Sequence, residues 1–272
     1  GGDNIAIGEN ALSSATNTGG VVAIGHEAGA SINSNDANLS VLIGYNAGDA
    51  ITDGSLNVGI GYNALGSNVS GDKNVAIGYQ AGEDYNPTAN FGNCVFVGHQ
   101  AGLNVSTARK ATIIGNAAVG LGVMTGHENT AIGNEAGYDL TSGGNNTLMG
   151  VSAGGNLTIG NHNTAVGLQA LVEETIGNHT TAIGFNSLNK QLSNTNNEVT
   201  GNTAVGSYSG YYNVQGTENT LIGFEAGFGS STYSHSNNTM IGHRAGTGIL
   251  GGGSNTFVGD ASGIAVTSGD DN

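Results

Sequence analysis

One pattern of apolar and polar positions recurs along the whole chain. A typical copy begins with Asn and continues with Thr or Val, a small apolar residue, Ile or Val, and Gly, and Ala follows three residues after that glycine. Residues 129–133 and 163–167 are clear copies. Successive side chains of a strand point to opposite faces, so the first and third apolar positions of each copy share one face. Short β-branched runs separated by Gly and Asn predict strands joined by turns.

The repeats have a regular length and share one invariant glycine. Nine of the fourteen intervals between successive copies are 17 residues, and the others are 18 to 22. Because 17 residues with several fixed glycines cannot hold two helices, the period predicts an all-β fold, a parallel β-solenoid or β-roll of about fifteen coils. We expect a positive φ at the invariant corner glycine of each coil. These glycines are Gly8, Gly25, Gly44, Gly61, Gly78, Gly98, Gly115, Gly133, Gly150, Gly167, Gly184, Gly206, Gly223, Gly242 and Gly259.

The repeat fills residues 1–272 and predicts a single continuous array. It begins part-way through a copy at Gly1 and ends on Asn272, the first residue of a further copy. We therefore expect a segment of a longer fibre that acts as a rigid rod. Uncapped ends also fit a second hypothesis, a self-assembling filament in which copies stack head to tail.

The predicted strands are apolar on both faces, so we expect each strand to be covered twice. We expect the third column, for example Ile132, to fill the core of the coil, and the central column, for example Ala131, to pack against other copies of the chain. The Asn that precedes the strand predicts a hydrogen-bonded ladder between stacked coils. We interpret Cys94, which stands at this position in one coil, as a structural replacement.

Composition and charge narrow the range of functions. The chain has 50 glycines and 36 asparagines, but the regular spacing of its 37% hydrophobic residues favours a stacked core over disorder. A single proline and the lack of a Gly-X-Y period exclude collagen. The formal charge of −15 argues against binding to nucleic acids or anionic membranes. Apolar runs are short, so we expect no membrane insertion.

Candidate chemistry is sparse in this sequence. The seven histidines form no ligand set, and we expect no metal site, no cofactor and no catalytic residue, and hence no enzyme. The acidic pairs 83–84, 173–174 and 270–271 are interpreted as solvated charge, with weak calcium binding left open. A polysaccharide-degrading spike and an ice-binding solenoid rank lower. The spike would need a large insertion, and the ice-binding solenoid would need an outward Thr array, whereas we expect Thr to share a face with buried Ile.

One column of aromatic residues follows the corner glycine. Tyr45, Tyr62 and Tyr79 occupy it in three consecutive coils, which predicts a stacked ladder at the surface. Such a ladder fits contact with sugar rings or another surface. It equally fits shielding of the coil edge or packing between chains.

Residues 74–81, Asn-Val-Ala-Ile-Gly-Tyr-Gln-Ala, resemble the head repeats of trimeric autotransporter adhesins and similar arrays in phage tail fibres. The resemblance covers essentially the whole chain, although the repeat here is longer. It implies a left-handed β-roll in which three chains associate side by side as a homotrimer. It also implies surface attachment, an extracellular location on a cell or a virion tail fibre, and a cell-surface glycan or receptor as partner.

Overall fold

A computed structural model describes residues 2–34, 39–88, 91–230 and 234–271, in which strands and turns occur without a helix. Asn272, which we counted in the Asn column, lies outside these residues. The chain divides into two compact units, residues 1–135 and 136–272. The first unit contains β1 (Ile5–Ile7), β2 (Val22–Ile24), β3 (Val41–Ile43), β4 (Val58–Ile60), β5 (Val75–Ile77), β6 (Val95–Val97), β7 (Thr112–Ile114) and β8 (Thr130–Ile132). The second contains β9 (Thr147–Met149), β10 (Thr164–Val166), β11 (Thr181–Ile183), β12 (Thr203–Val205), β13 (Thr220–Ile222), β14 (His235–Ser236), β15 (Thr239–Ile241), β16 (Gly252–Gly253) and β17 (Thr256–Val258).

Within each unit the strands stack in parallel and in the order of the chain. In the first unit β1 to β8 pair successively, and equivalent repeat positions face each other, as in Ile5 opposite Val22. In the second unit β9 to β13, β15 and β17 do the same, and β14 pairs with β16. This confirms the all-β parallel solenoid. The single array over residues 1–272 and the left-handed coil stay predictions.

Each strand except β14 and β16 ends at a corner that requires glycine. All fifteen corner glycines have φ between 129° and 141°, which confirms the predicted positive φ. A Cβ on Gly167 would lie 2.6 Å from the carbonyl oxygen of Gly184 in the next coil. Two conditions therefore act together at this position, because the backbone angle disfavours every L-residue and the neighbouring coil leaves no room for a side chain.

The turn after the corner forms a second ladder between coils. Asn46, two residues after Gly44, has a φ of 53°, and its N–H donates to the carbonyl of His26 in the preceding coil at 2.9 Å. Gly48 has a φ of 57°, and its N–H donates to Ala64 in the following coil at 2.9 Å. Every second residue of the turn thus hydrogen-bonds to a neighbouring coil, so the turns add to the parallel sheet in holding the stack together.

The interior of the coil is lined by the central strand column, and our assignment of the two columns was wrong. From β2 onwards the central residue of each three-residue strand, such as Ala131 or Leu148, is buried, whereas the third residue, such as Ile132, is partly or largely exposed. The physical reason is that the two walls of the coil lie close together. The buried Ala column three residues after the corner leaves space inside for one inward side chain from each strand.

Side-chain volumes compensate across this thin interior. A large central residue is paired with glycine four residues after the corner, as Leu42 is with Gly48 and Phe96 with Gly102. A Cβ on Gly102 would lie 2.5 Å from the Phe96 ring, and one on Gly48 would lie 2.7 Å from a Leu42 methyl carbon. The reverse pairing also occurs, since Gly59 accompanies the buried Leu65. Total volume is therefore conserved in these coils, as close packing requires.

The Asn ladder is confirmed. Asn57 is buried, and its side-chain oxygen accepts the backbone N–H of Asn74 at 2.9 Å and the Asn74 side-chain amide at 3.1 Å. Asn202, Asn219 and Asn238 repeat these bonds in the second unit. Cys94 is the predicted structural replacement: it is buried, and its sulfur accepts the N–H of Ala111 at 3.4 Å. Burial raises the pKa of the Cys94 thiol, which favours its protonated form.

Replacing a corner glycine tests the spacing between coils. We expect Gly167→Ala to lower the free energy of unfolding by about 3 kcal/mol, because it combines a disfavoured φ with a clash against Gly184. Urea unfolding followed by circular dichroism measures the change. The control is Gly251→Ala, where a Cβ meets nothing within 4 Å. Equal stability of the two variants would contradict the role of the corner.

Candidate interaction surfaces of the coils

We call all strands except β14 and β16 the main-sheet strands. Their first and third residues form an outward strand face. Ile5 and Ile7 are about half exposed in β1, and Ile222 and Ile241 are 37% and 36% exposed in the second unit. The residues of this face are Ile, Val, Thr or Met, and the described main-sheet strands contain no charged residue. Each unit therefore presents an uncharged sheet face of Ile, Val, Met and Thr side chains to its surroundings.

The composition of this face changes along the chain. Its first column is Ile or Val from β1 to β6, and Thr in every later main-sheet strand. Because Thr and Ile share an outward face, our reason for ranking an ice-binding surface low was wrong. The second unit carries an uninterrupted column of seven Thr residues beside a column of Ile, Val and Met.

The predicted ladder of Tyr45, Tyr62 and Tyr79 is stacked, and a histidine extends it at each end. The aromatic ladder is His26, Tyr45, Tyr62, Tyr79 and His99. Successive ring centroids are 4.7 to 5.5 Å apart and the rings are within 13° of parallel. The three tyrosines are 42% to 48% exposed. Because each ring covers its neighbour's face, the solvent meets mainly ring edges and hydroxyl groups, which disfavours stacking of a sugar on the ladder.

A second aromatic cluster in the other unit has a different geometry. The aromatic patch consists of Phe185, Tyr208, Tyr211, Tyr212, Phe224 and Phe228. Its contacts are mostly edge to face, as between Phe185 and Tyr208 at 5.1 Å and 88°, and between Tyr211 and Tyr212 at 4.6 Å and 90°. Phe185 and Phe224 are 38% and 44% exposed, whereas the other four rings are partly buried. The sequence pattern missed the patch because Tyr208, Tyr211 and Tyr212 lie outside the column that follows the corner glycine.

The acidic and metal-ligating side chains of the described residues have structural roles and do not form a metal site. In the described part of the chain, no three His, Cys, Asp or Glu residues are placed to hold a metal ion. Glu174 corrects our interpretation of the acidic pairs as solvated charge, because it is buried. Its carboxylate accepts the N–H groups of Thr175, Ile176 and Gly177 at 2.8 to 3.0 Å and the Ser193 hydroxyl at 2.9 Å. These bonds fix the turn that follows Glu174.

Comparison with known proteins identified no relative of this chain. No protein-family model, no curated protein and no solved structure matches this chain. The similarity to adhesin heads and tail fibres therefore rests on the repeat itself and stays a prediction. Among the described residues, no helix has the length and hydrophobicity needed to cross a membrane.

His235 is the most buried of the seven histidines. Its imidazole lies 3.3 Å from the side-chain oxygen of Asn219 and 3.2 Å from the carbonyl of Gly227, at the Asn ladder of the second unit. Burial lowers the pKa of His235 to about 4. The folded chain thus holds this ring neutral at a pH where the unfolded chain protonates it.

The lowered pKa makes stability depend on pH. A histidine with an ordinary pKa of about 6.5 in the unfolded state protonates there first, so its contribution is complete above that value and declines as the pH falls to about 4. The expected loss is about 3 kcal/mol in the free energy of unfolding. Urea unfolding at pH 7 and pH 4 measures it.

The matched variants are His235→Gln and the exposed His127→Gln. We expect His235→Gln to reduce the difference between the two pH values by that amount and His127→Gln to leave it unchanged. An unaltered pH dependence in His235→Gln would contradict the assignment.

Proposed function

We propose that the chain is a non-enzymatic, structural segment of an extracellular fibre whose copies pack side by side through the outward strand face. The observation that carries this proposal is that the sheet is apolar on both sides. The inner side is covered by the coil itself, and the outer side is open in each unit. A partner with the same uncharged face would cover the outer side of the sheet.

The exposed area supports association. At 150–250 Å² for an aromatic side chain, the tyrosines of the ladder leave roughly 250 Å² in contact with water. Ile77, in the strand just before Tyr79, adds a side chain that is 39% exposed. Exposed apolar side chains in neighbouring coils are typical of surfaces that associate.

Further copies of this chain are the partners that fit best, because they offer the same face at the same coil spacing. The resemblance to adhesin heads implies three such copies, a homotrimer. Many weak lateral contacts then give the assembly its stiffness. In such a fibre the aromatic patch is our candidate for contact with a cell-surface glycan or receptor, through the exposed side chains of Phe185 and Phe224.

Charges introduced on the outward strand face test the assembly. We expect the full chain to be a trimer by light scattering and the double variant Ile222→Asp, Ile241→Asp to be monomeric but folded, because six buried carboxylates would repel one another. Leu250→Asp is the control, since Leu250 is as exposed as Ile241 but lies outside the strands. A stable, soluble monomer of the unaltered chain would overturn side-by-side assembly.

A second candidate function is binding to ice, favoured by the outward Thr column of the second unit. Strands about 4.8 Å apart, with side chains about 6.6 Å apart along each strand, form a regular array of methyl and hydroxyl groups. Such an array can order water on a rigid surface. This function requires the outward strand face to be free and so excludes its use between copies.

Ice recrystallisation assays separate the two functions. If the face binds ice, we expect inhibition by the unaltered chain and loss of inhibition in Thr181→Lys, whose side chain would break the array. Thr107→Lys is the control, since Thr107 is exposed outside the strands. A trimer with no inhibition supports the fibre, whereas a monomer that inhibits supports ice binding.

A further inference from the structure

A cleft of about 270 Å³ lies in the first unit, beside the residues that immediately precede three successive strands. It is lined by Phe91, Gly92, Asn93, Arg109, Lys110, His127 and Glu128. These residues occupy the two to four positions before β6, β7 and β8, so equivalent positions of three coils form one concave surface. The cleft is separate from the outward strand face.

The cleft is locally positive in an acidic chain. It holds two of the five Lys and Arg residues, against one carboxylate, in a protein with a formal charge of −15. Glu128 is paired with Lys110 at 2.7 Å. The Arg109 guanidinium lies 3.9 Å from the centre of the Phe91 ring and, among the described residues, has no carboxylate partner. Its N–H donors remain available to an anion.

Two backbone N–H groups add hydrogen-bond donors to the positively charged side chains of the cleft. In several other coils, the side chain three positions before the strand accepts the N–H of its counterpart in the preceding coil. The Asp72 carboxylate accepts from Ser55 at 2.7 Å, and the Asn161 side chain accepts from Gly144 at 2.9 Å. In the cleft this column is Gly92, Arg109 and His127, and the N–H groups of Gly92 and Arg109 donate to no described residue. The side-chain oxygen that those coils supply is absent from Arg109 and His127, the residues that follow Gly92 and Arg109 in the column.

We propose that this cleft binds a carboxylate-bearing sugar, such as one uronic-acid residue of an acidic polysaccharide. The carboxylate replaces the missing acceptor at the backbone N–H groups and pairs with the Arg109 guanidinium. Phe91, which is 44% exposed, offers an apolar surface to the sugar ring, while the Asn93 amide and the His127 imidazole offer partners to hydroxyl groups. This binding is independent of the proposed side-by-side assembly.

Titration of the full chain with glucuronate, glucose and acetate at equal ionic strength tests the site, with amide NMR shifts of Gly92 and Arg109 as the readout. We expect glucuronate to bind at least about tenfold more tightly than glucose or acetate, because it alone combines the carboxylate with the ring. Equal binding of acetate would overturn recognition of a sugar. Tighter binding of a triglutamate peptide would overturn it in favour of an acidic peptide.

Three variants locate the binding. We expect Arg109→Gln to weaken glucuronate binding about tenfold, and Arg244→Gln, whose arginine is already paired with Glu225 at 2.7 Å, to leave it unchanged. Glu128→Gln should strengthen binding several-fold, since it releases Lys110 and removes a negative charge. Unchanged melting temperatures show that the variants are folded. Equal affinity of Arg109→Gln and the unaltered chain would overturn the site.

Discussion

The approach of one coil to the next at the corner glycines is the constraint on which the rest of the structure depends. At Gly167 a Cβ would lie 2.6 Å from the neighbouring carbonyl, so the corner can stack at the spacing of a parallel sheet only without a side chain. This spacing sets the distance at which the strands pair and the Asn side chains meet. It also sets the distance at which aromatic rings one coil apart stack.

The spacing explains why polar Asn side chains are tolerated in buried positions of the stacked coils. An Asn buried in one coil lies within hydrogen-bond distance of the backbone and side-chain amide of its counterpart, as Asn57 does of Asn74. Each member satisfies the next, so the ladder costs little despite its burial. Two of the residues that replace Asn in this column supply an equivalent acceptor: the Cys94 sulfur accepts from Ala111, and the Ser40 hydroxyl accepts from Asn57.

The sequence alone was sufficient for the features that must recur in every coil. The period, the strand, the corner glycine and the Asn ladder each need one residue type at one spacing, and all were predicted correctly. The face of the strand that points into the coil was predicted incorrectly. Ile132 and Ala131 are both apolar, and the pattern contains no measure of coil thickness. A usable signal was present in the matched sizes of Leu42 with Gly48 and of Gly59 with Leu65, which mark the central column as the interior.

The candidate surfaces lie at positions that stacking leaves free. The central column, the corner and the Asn position are fixed by packing, so chemistry can vary in the outward columns, the turn after the corner and the residues before the Asn. The aromatic ladder could be predicted because it repeats in one such column. The aromatic patch and the Arg109 cleft could not, because each combines different repeat positions in coils that depart from the pattern. Recognition of a particular ligand therefore depends on irregular positions, since a column repeated in every coil can specify stacking and lateral packing but not one ligand.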